Sequence, residues 1–395
     1  MIKYKLRNNL YDLGLLSCSL RKSPILYMIE TQKMLVVWEA NCALKDVRIR
    51  WYENRPSDGI GILLGTSNIL DPLKLDDYHH VYKAIIGPFE TRSNYEYEII
   101  HKENEQNPAA IIASNSFQFF PDLPDNSSSI TYPIKIVAFS DNQFGLTVFN
   151  RLVKSAFQRH TPNFILHAGD AVQDYKNLQQ WQTDFYDPLT NYHLSQQAPI
   201  IYAHGNHDYD KENVYAYTTD IPWYSFTIAN TRWIVLDSNI DDIKQDEWLV
   251  QELSSPETKN AEFRIVVVHI PPFVEFWEPG AWHDKNEKHW GEFVRTRFVP
   301  LFRSHGVDLV ISGHQHNYQR GQLDGTVYTI IGGSGGELDL ENVEDWKMYA
   351  TTKKTHHYVL MEIWSDKIIW VVYDLKGFVI DKFEMGNGVI FSSIS

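Results

Sequence analysis

Five short polar turns, each following an apolar run, carry the residue types of a metal site. They are Ser140-Asp141-Asn142-Gln143, Gly169-Asp170, Gly205-Asn206-His207-Asp208, the single His269, and Gly313-His314-Gln315-His316. Carboxylates, amide oxygens and neutral imidazoles all ligate cations, and an imidazole beside a bound anion can also act as an acid. Singly, an Asp after a strand is a turn or cap residue, and a His after an apolar run is a packed core histidine. Five together point to one site, because the strand ends of an open α/β sheet lie along one edge. His314 and His316, two apart in an extended segment, point the same way and can serve neighbouring ions. Asp, Asn and His ligands without Cys suit Mn, Fe, Zn or Co rather than an all-oxygen cage for Ca or Mg.

The elements that must position these residues follow from hydrophobic periodicity. Ile134–Phe139, Phe164–Ala168, Ile200–Ala203, Trp233–Leu236, Ile265–Val268, Leu309–Ile311 and Val327–Ile331 read as strands. Between them, Thr147–His160 and Gln245–Leu253 read as helices, as do segments around Trp181 and Leu301, the last kinked near Pro300. Tyr358–Ile363, Ile368–Tyr373 and Phe378–Phe383 close the chain as a β-meander. Upstream the pattern is all-β: Met34–Glu39, Val47–Tyr52, His80–Ile86, Tyr95–His101 and Ser116–Phe120 are short strands with no amphipathic helix between them. That is a small β-sandwich over residues 31–121, of structural or substrate-framing use. Residues 1–30 read as an extended arm or an edge strand, 122–132 as a Pro-, Asp- and Ser-rich linker, and 133–395 as the α/β domain.

With 395 residues, 43% of them hydrophobic, the chain can build two substantial cores. Its net charge of −14 argues against general binding to nucleic-acid polymers or anionic membranes. No apolar run is long enough to span a membrane, and the N-terminus has no convincing signal peptide. Cytoplasmic residence is the reading, with export lacking a cleaved signal as its alternative. Cys18 and Cys42 are either free thiols or one disulfide, and neither has metal-ligand spacing.

The ordered set Asp-x-Gln, Gly-Asp, Gly-Asn-His-Asp, a strand-end His and Gly-His-x-His resembles the calcineurin-like metallophosphoesterase superfamily. Gly306–Arg320, Gly325-Thr326-Val327-Tyr328, the glycines at 332–336, the meander and the preceding sandwich resemble its purple acid phosphatase branch. The resemblance implies a four-layer αββα domain preceded by a fibronectin-type-III-like sandwich. It also implies two divalent ions: Asp170 bridging, Asp141, Gln143 and His316 completing one site, and Asn206, His269 and His314 holding the other. His207 would face the phosphate and protonate the leaving oxygen while a metal-bridging hydroxide attacks phosphorus. Purple acid phosphatases carry an iron-binding Tyr three residues after the bridging Asp; here that residue is Gln173, with Tyr175 two places late. Two divalent ions and a colourless enzyme are therefore expected. The expected activity is hydrolysis of a phosphomonoester, with phosphodiesterase or nucleotide pyrophosphatase, and a non-catalytic binding protein, as alternatives. The substrate would be a phosphorylated small molecule or nucleotide, with a phosphoprotein as a further option. Pocket walls would come from His204 and the loop Phe273–Trp290, where Trp277, Trp282, His283, His289 and Trp290 could stack a ring or bind phosphate.

Overall fold

The computed structural model describes residues 18–54, 61–69, 71–90, 92–102, 109–119, 133–192, 197–208, 215–276, 289, 291–386 and 389–393. The expected linker 122–132 lies outside them.

Two sheets face each other beneath the site. In the first, Ile134–Phe139, Phe164–His167 and Ile200–Tyr202 run parallel. In the second, Thr231–Leu236, Phe263–Val268, Leu309–Ser312 and Thr326–Ile331 run parallel. Strand alternation divides each side chain set between two cores. Ile136 and Ala138 turn to the space between the sheets, where Val235, Ile265, Val267 and Ile311 meet them. Val137 and Phe139 turn outward to Phe149, Leu152, Val153 and Ala156 of the helix Leu146–Arg159. On the far side Ile234, Leu236 and Val266 cover Leu249, Leu253, Phe298 and Phe302. The layers are helix, sheet, sheet, helix, the αββα order.

The helices owe their bounds to local chemistry. Asp242 caps Ile243–Ser254 by accepting from the Lys244 amide at 2.9 Å. Pro300 sits in the first turn of Val299–His305, where no N–H is needed, and a π-helical turn, Val294–Phe298, leads into it. Gly306, at φ 65°, ends that helix in the left-handed region. Buried whole, a side chain such as Leu249 contributes about 1.5–3 kcal/mol.

Residues 20–30 are neither a free arm nor an edge strand. Leu20–Glu30 is an interior strand, pairing in parallel with Ile200–Tyr202 and antiparallel with Lys33–Ala40. Its polar start hid this: Lys22 is only 1% exposed, neutralised by Glu39 at 2.5 Å, and Glu39 also takes Arg21 and the Tyr217 hydroxyl. The first sheet therefore grows to eleven strands, flanked by the C-terminal meander on one side and Lys33–Ala40, His79–Ile86 and Leu73–Asp76 on the other. A separate four-stranded sheet, Gly61–Ile69, Val47–Asn54, Ser93–His101 and Ala110–Phe119, packs on these last strands through Trp38, Ile49, Trp51, Tyr95 and Tyr97. That is the N-terminal sandwich, and it borrows one of its faces from the eleven-stranded sheet. Cys18 and Cys42 form a disulfide at its entrance.

Candidate metal centre

Each turn after a parallel strand is shaped for close approach of its neighbours. Gly169 has φ 101°, and a Cβ there would lie 2.6 Å from both the Gly205 nitrogen and His269 Nδ1. A Cβ on Gly205 would strike Asp170 Oδ1 at 2.1 Å. The glycines before Asp170 and Asn206 are thus required by the packing of the ligand turns on one another. Asp141, Asp170 and His314 themselves take left-handed φ of 58°, 55° and 69°. Such a backbone in non-glycine residues is held only where surroundings fix it.

These turns bring the expected ligands together. Asp170 Oδ2 lies 3.2 Å from His269 Nε2, which is 3.2 Å from Asn206 Oδ1. Asn206 Oδ1 is also 2.9 Å from His314 Nδ1. Across the centre, His316 Nε2 is 3.6 Å from Asp141 Oδ1 and 3.3 Å from the Gln143 amide nitrogen. The coordinating atoms of Asp170, His269 and His314 lie within 4.8 Å of one another, and all three residues are buried.

Outer contacts set the tautomers. His269 Nδ1 is 2.7 Å from the Ala168 carbonyl and His316 Nδ1 is 2.6 Å from the Glu337 carbonyl. A carbonyl only accepts, so both rings carry a proton there and turn Nε2 toward the centre, the arrangement of metal-binding histidines. His207 Nδ1 likewise meets the Gln173 carbonyl at 2.9 Å, leaving Nε2 for the cavity that His207 lines. Burial pulls His269 down, but the adjacent Asp170 carboxylate outweighs it and raises the ring to about 10. Burial also opposes protonation of His316, and Asp141 lifts it to about 9. Protons thus compensate the buried carboxylates where cations would do so equally well. The residues fit metal ions on a further ground. Gln143 Oε1, in a side chain 2% exposed, has no hydrogen-bond partner, an orphan acceptor at the expected ligand position.

Several residues depart from expectation. His204 is fully buried, 2.9 Å from Thr218 Oγ1 through Nε2, and its ring packs on Tyr202 and Tyr215. It does not line the cavity, so its assignment to substrate binding is corrected to a packing role. The cause is alternation: His204 falls on the Tyr202 side of the chain, toward the outer core. Trp277, Trp282, His283 and Trp290 lie outside the described residues. His289 is in place, its Nε2 3.1 Å from His314 Nε2. Gln173 occupies the cavity wall, whereas Tyr175 packs into the outer core and is no substitute for a ligating Tyr.

Asp208 is the residue that sequence reasoning passed over. Its carboxylate accepts from the amides of Asp170 at 3.0 Å, Ala171 at 2.8 Å and Gly205 at 2.8 Å, and from the Tyr202 hydroxyl at 2.8 Å. It pins the two ligand turns to each other. The only sequence signal was an Asp three residues after a strand-end Gly, the spacing of a local side-chain-to-backbone bond.

Residues 134–318 match the family model described as calcineurin-like phosphoesterase. A plant protein named "Probable purple acid phosphatase 20", from Arabidopsis thaliana, is 25% identical over 307 residues, 66% of this chain and 68% of its own. The phosphoenolpyruvate phosphatase of Allium cepa is 33% identical over 118 residues, 28% of this chain and 22% of its own. Three further purple acid phosphatases of Arabidopsis thaliana are matched over 56 to 61% of their own lengths. Among solved structures, the purple acid phosphatase from yellow lupin (Lupinus luteus) seeds superposes with a TM-score of 0.72. That match has 16% identity and covers 92% of this chain and 74% of the lupin chain, a shared fold. The ordered ligand turns and the αββα layers agree with these matches: residues 134–318 match the calcineurin-like phosphoesterase model, and the chain is similar in sequence and fold to purple acid phosphatases.

Proposed function

We propose that this chain is a phosphoesterase acting on a phosphomonoester at two divalent metal ions. One observation carries the reading. Asp141, Asp170, Asn206, His269, His314 and His316 converge, with His269 and His316 each held by a carbonyl on the far nitrogen so that Nε2 faces the centre. Asp141, Gln143, Asp170 and His316 would hold one ion; Asp170, Asn206, His269 and His314 would hold the other, from Mn, Fe, Zn or Co. Bound there, the pair would lower the pKa of a water and neutralise charge on phosphate oxygens.

The chain's own groups do the rest. His207 Nε2, fixed by the Nδ1–Gln173 bond, is placed to donate to a phosphate oxygen and to hand a proton to the leaving oxygen. The Asp170 carboxylate is oriented by the His207 amide at 2.9 Å, so the acid and the bridging ligand move as one unit. Near-complete burial of Asp141, Asp170, His269 and His314 keeps water from competing with these contacts. The name of the onion relative, a phosphatase of the monoester phosphoenolpyruvate, supports the monoester assignment. The Cys18–Cys42 bond favours an oxidising compartment, so we place the protein outside the reducing cytosol.

The test is turnover of p-nitrophenyl phosphate and bis(p-nitrophenyl) phosphate by metal-reconstituted protein, with Asp170→Asn as control. The monoester should turn over and the variant should not. Turnover of the diester alone moves the assignment to a phosphodiesterase. No turnover of either leaves a binding protein on this fold.

A further inference from the structure

The substrate cavity, about 600 Å³, has the metal-ligand turns on one side and the segment Glu337-Leu338-Asp339-Leu340-Glu341 on the other. None of the described residues lining it is Lys or Arg. For a cavity that receives a phosphate ester this is an unusual charge: beyond the metal ligands and His207, the ionic groups among its described lining residues are three carboxylates. Asp339 is committed to structure, accepting from the His316 amide at 2.7 Å. Glu337 and Glu341 are exposed and form no ion pair among the described residues. Behind the wall, Lys354 is held by donating to the Leu340 carbonyl at 2.6 Å and lies over the Phe276 ring.

The wall is rigid where it matters. The Ser334 amide donates to the Ser140 carbonyl and the Gly336 amide to the Asp141 carbonyl, and His316 bonds the Glu337 carbonyl. A Cβ on Gly145 would lie 2.2 Å from Gly335, so the turn 142–145 lies directly against this segment. That turn presents Phe144 at the cavity with 73% of its surface exposed and φ at 61°. A bulky aromatic in a left-handed conformation, gaining little from packing, is placed for something outside the core. An aromatic face and free carboxylates, with no Lys or Arg among the described lining residues, together make a receptor for an ammonium group.

We infer that Phe144, Glu337 and Glu341 select phosphate esters whose alcohol carries a positive charge, such as an ammonium or quaternary ammonium group. This rests on the phosphoesterase reading. The phosphoryl group would meet the metal ligands and His207, while the charged end of the alcohol meets the acidic wall and the Phe144 ring. Esters with a second anionic group, nucleotides and phosphoenolpyruvate included, would be disfavoured by the same carboxylates.

The experiment compares kcat/KM of the metal-loaded protein for choline phosphate and for its neutral isostere, 3,3-dimethylbutyl phosphate. p-Nitrophenyl phosphate turnover is measured first. The ratio is read, not the rate, so a general loss of activity in a variant cancels. Wild type should prefer choline phosphate by roughly tenfold, since rim charges are partly screened. The preference should shrink with added salt. Glu337→Gln with Glu341→Gln should bring the ratio close to one. Phe144→Leu should lower it several-fold. A wild-type ratio at or below one, with p-nitrophenyl phosphate turned over, overturns the inference and leaves the phosphoesterase reading standing; the wall would then only offset metal charge. A tenfold ratio unchanged by the double substitution overturns the assignment to these carboxylates. Absence of p-nitrophenyl phosphate turnover defeats both readings.

Discussion

Replacing Asp208 should cost both stability and metal binding, although Asp208 is not among the expected ligands. Four donors reach its carboxylate, three of them backbone amides of the two ligand turns. In Asp208→Ala each donor is left in a buried site without a partner, at about 1–3 kcal/mol apiece. Against this stands the cost of burying the carboxylate itself: burial and the nearby Asp170 push its pKa up from the usual carboxylate range. The net loss should be about 3–5 kcal/mol. In Asp208→Asn the amide oxygen can take the position of Oδ2 and keep three donors. Its NH2 group would then oppose the Ala171 amide, for a loss of about 1–3 kcal/mol. Urea unfolding midpoints measure the stability change, and elemental analysis of reconstituted protein measures bound metal. The expected order is wild type, Asn, Ala in both. Asp208→Ala within about 1 kcal/mol of wild type and carrying a full metal complement would refute the pinning role.

Removing the Cys18–Cys42 bond with serine at both positions should cost about 3 kcal/mol, from the 24-residue separation it closes, read as a lowered urea midpoint. His357, fully buried, is held down to about 4 by burial, so the folded ring stays neutral where the unfolded ring takes a proton. Its folded pKa lies below its unfolded value. The stabilisation is therefore complete above about pH 6.5 and is lost as pH falls toward 4, by up to about 3 kcal/mol; His357→Gln should flatten the midpoint's pH dependence in that window. Iron-loaded wild type should show no visible charge-transfer band, and Gln173→Tyr, at the cavity wall, should gain one; a band in wild type would contradict the absence of a phenolate ligand.

Much of the site was legible because strand ends are marked twice, by the end of an apolar run and by a glycine. Asp170, Asn206 and His314 each follow such a glycine, and the same close packing of turns that requires the glycine brings the ligands together. What stayed hidden depends on contacts between distant segments. Leu20–Glu30 was unreadable as an interior strand because Lys22 looks like a surface residue until Glu39 and Tyr217 are brought to it. Gly61–Ile69, with most residues exposed, has too little apolar alternation to be marked as a strand. The role of Asp208 needed three donors from two turns nearly forty residues apart. The acidic wall needed residues 143–145 and 335–341 to meet. His204 misled because it stands at a strand end like the ligands, yet alternation puts it on the Tyr202 side, toward the outer core.

The proposed activity rests on two ions acting together with His207, and stepwise metal titration of chelator-stripped protein tests that most directly. Turnover of p-nitrophenyl phosphate should be absent without metal, remain low at one equivalent and saturate at two, with Asn206→Ala abolishing the second rise. Turnover in stripped protein, or full activity at a single equivalent, would contradict it.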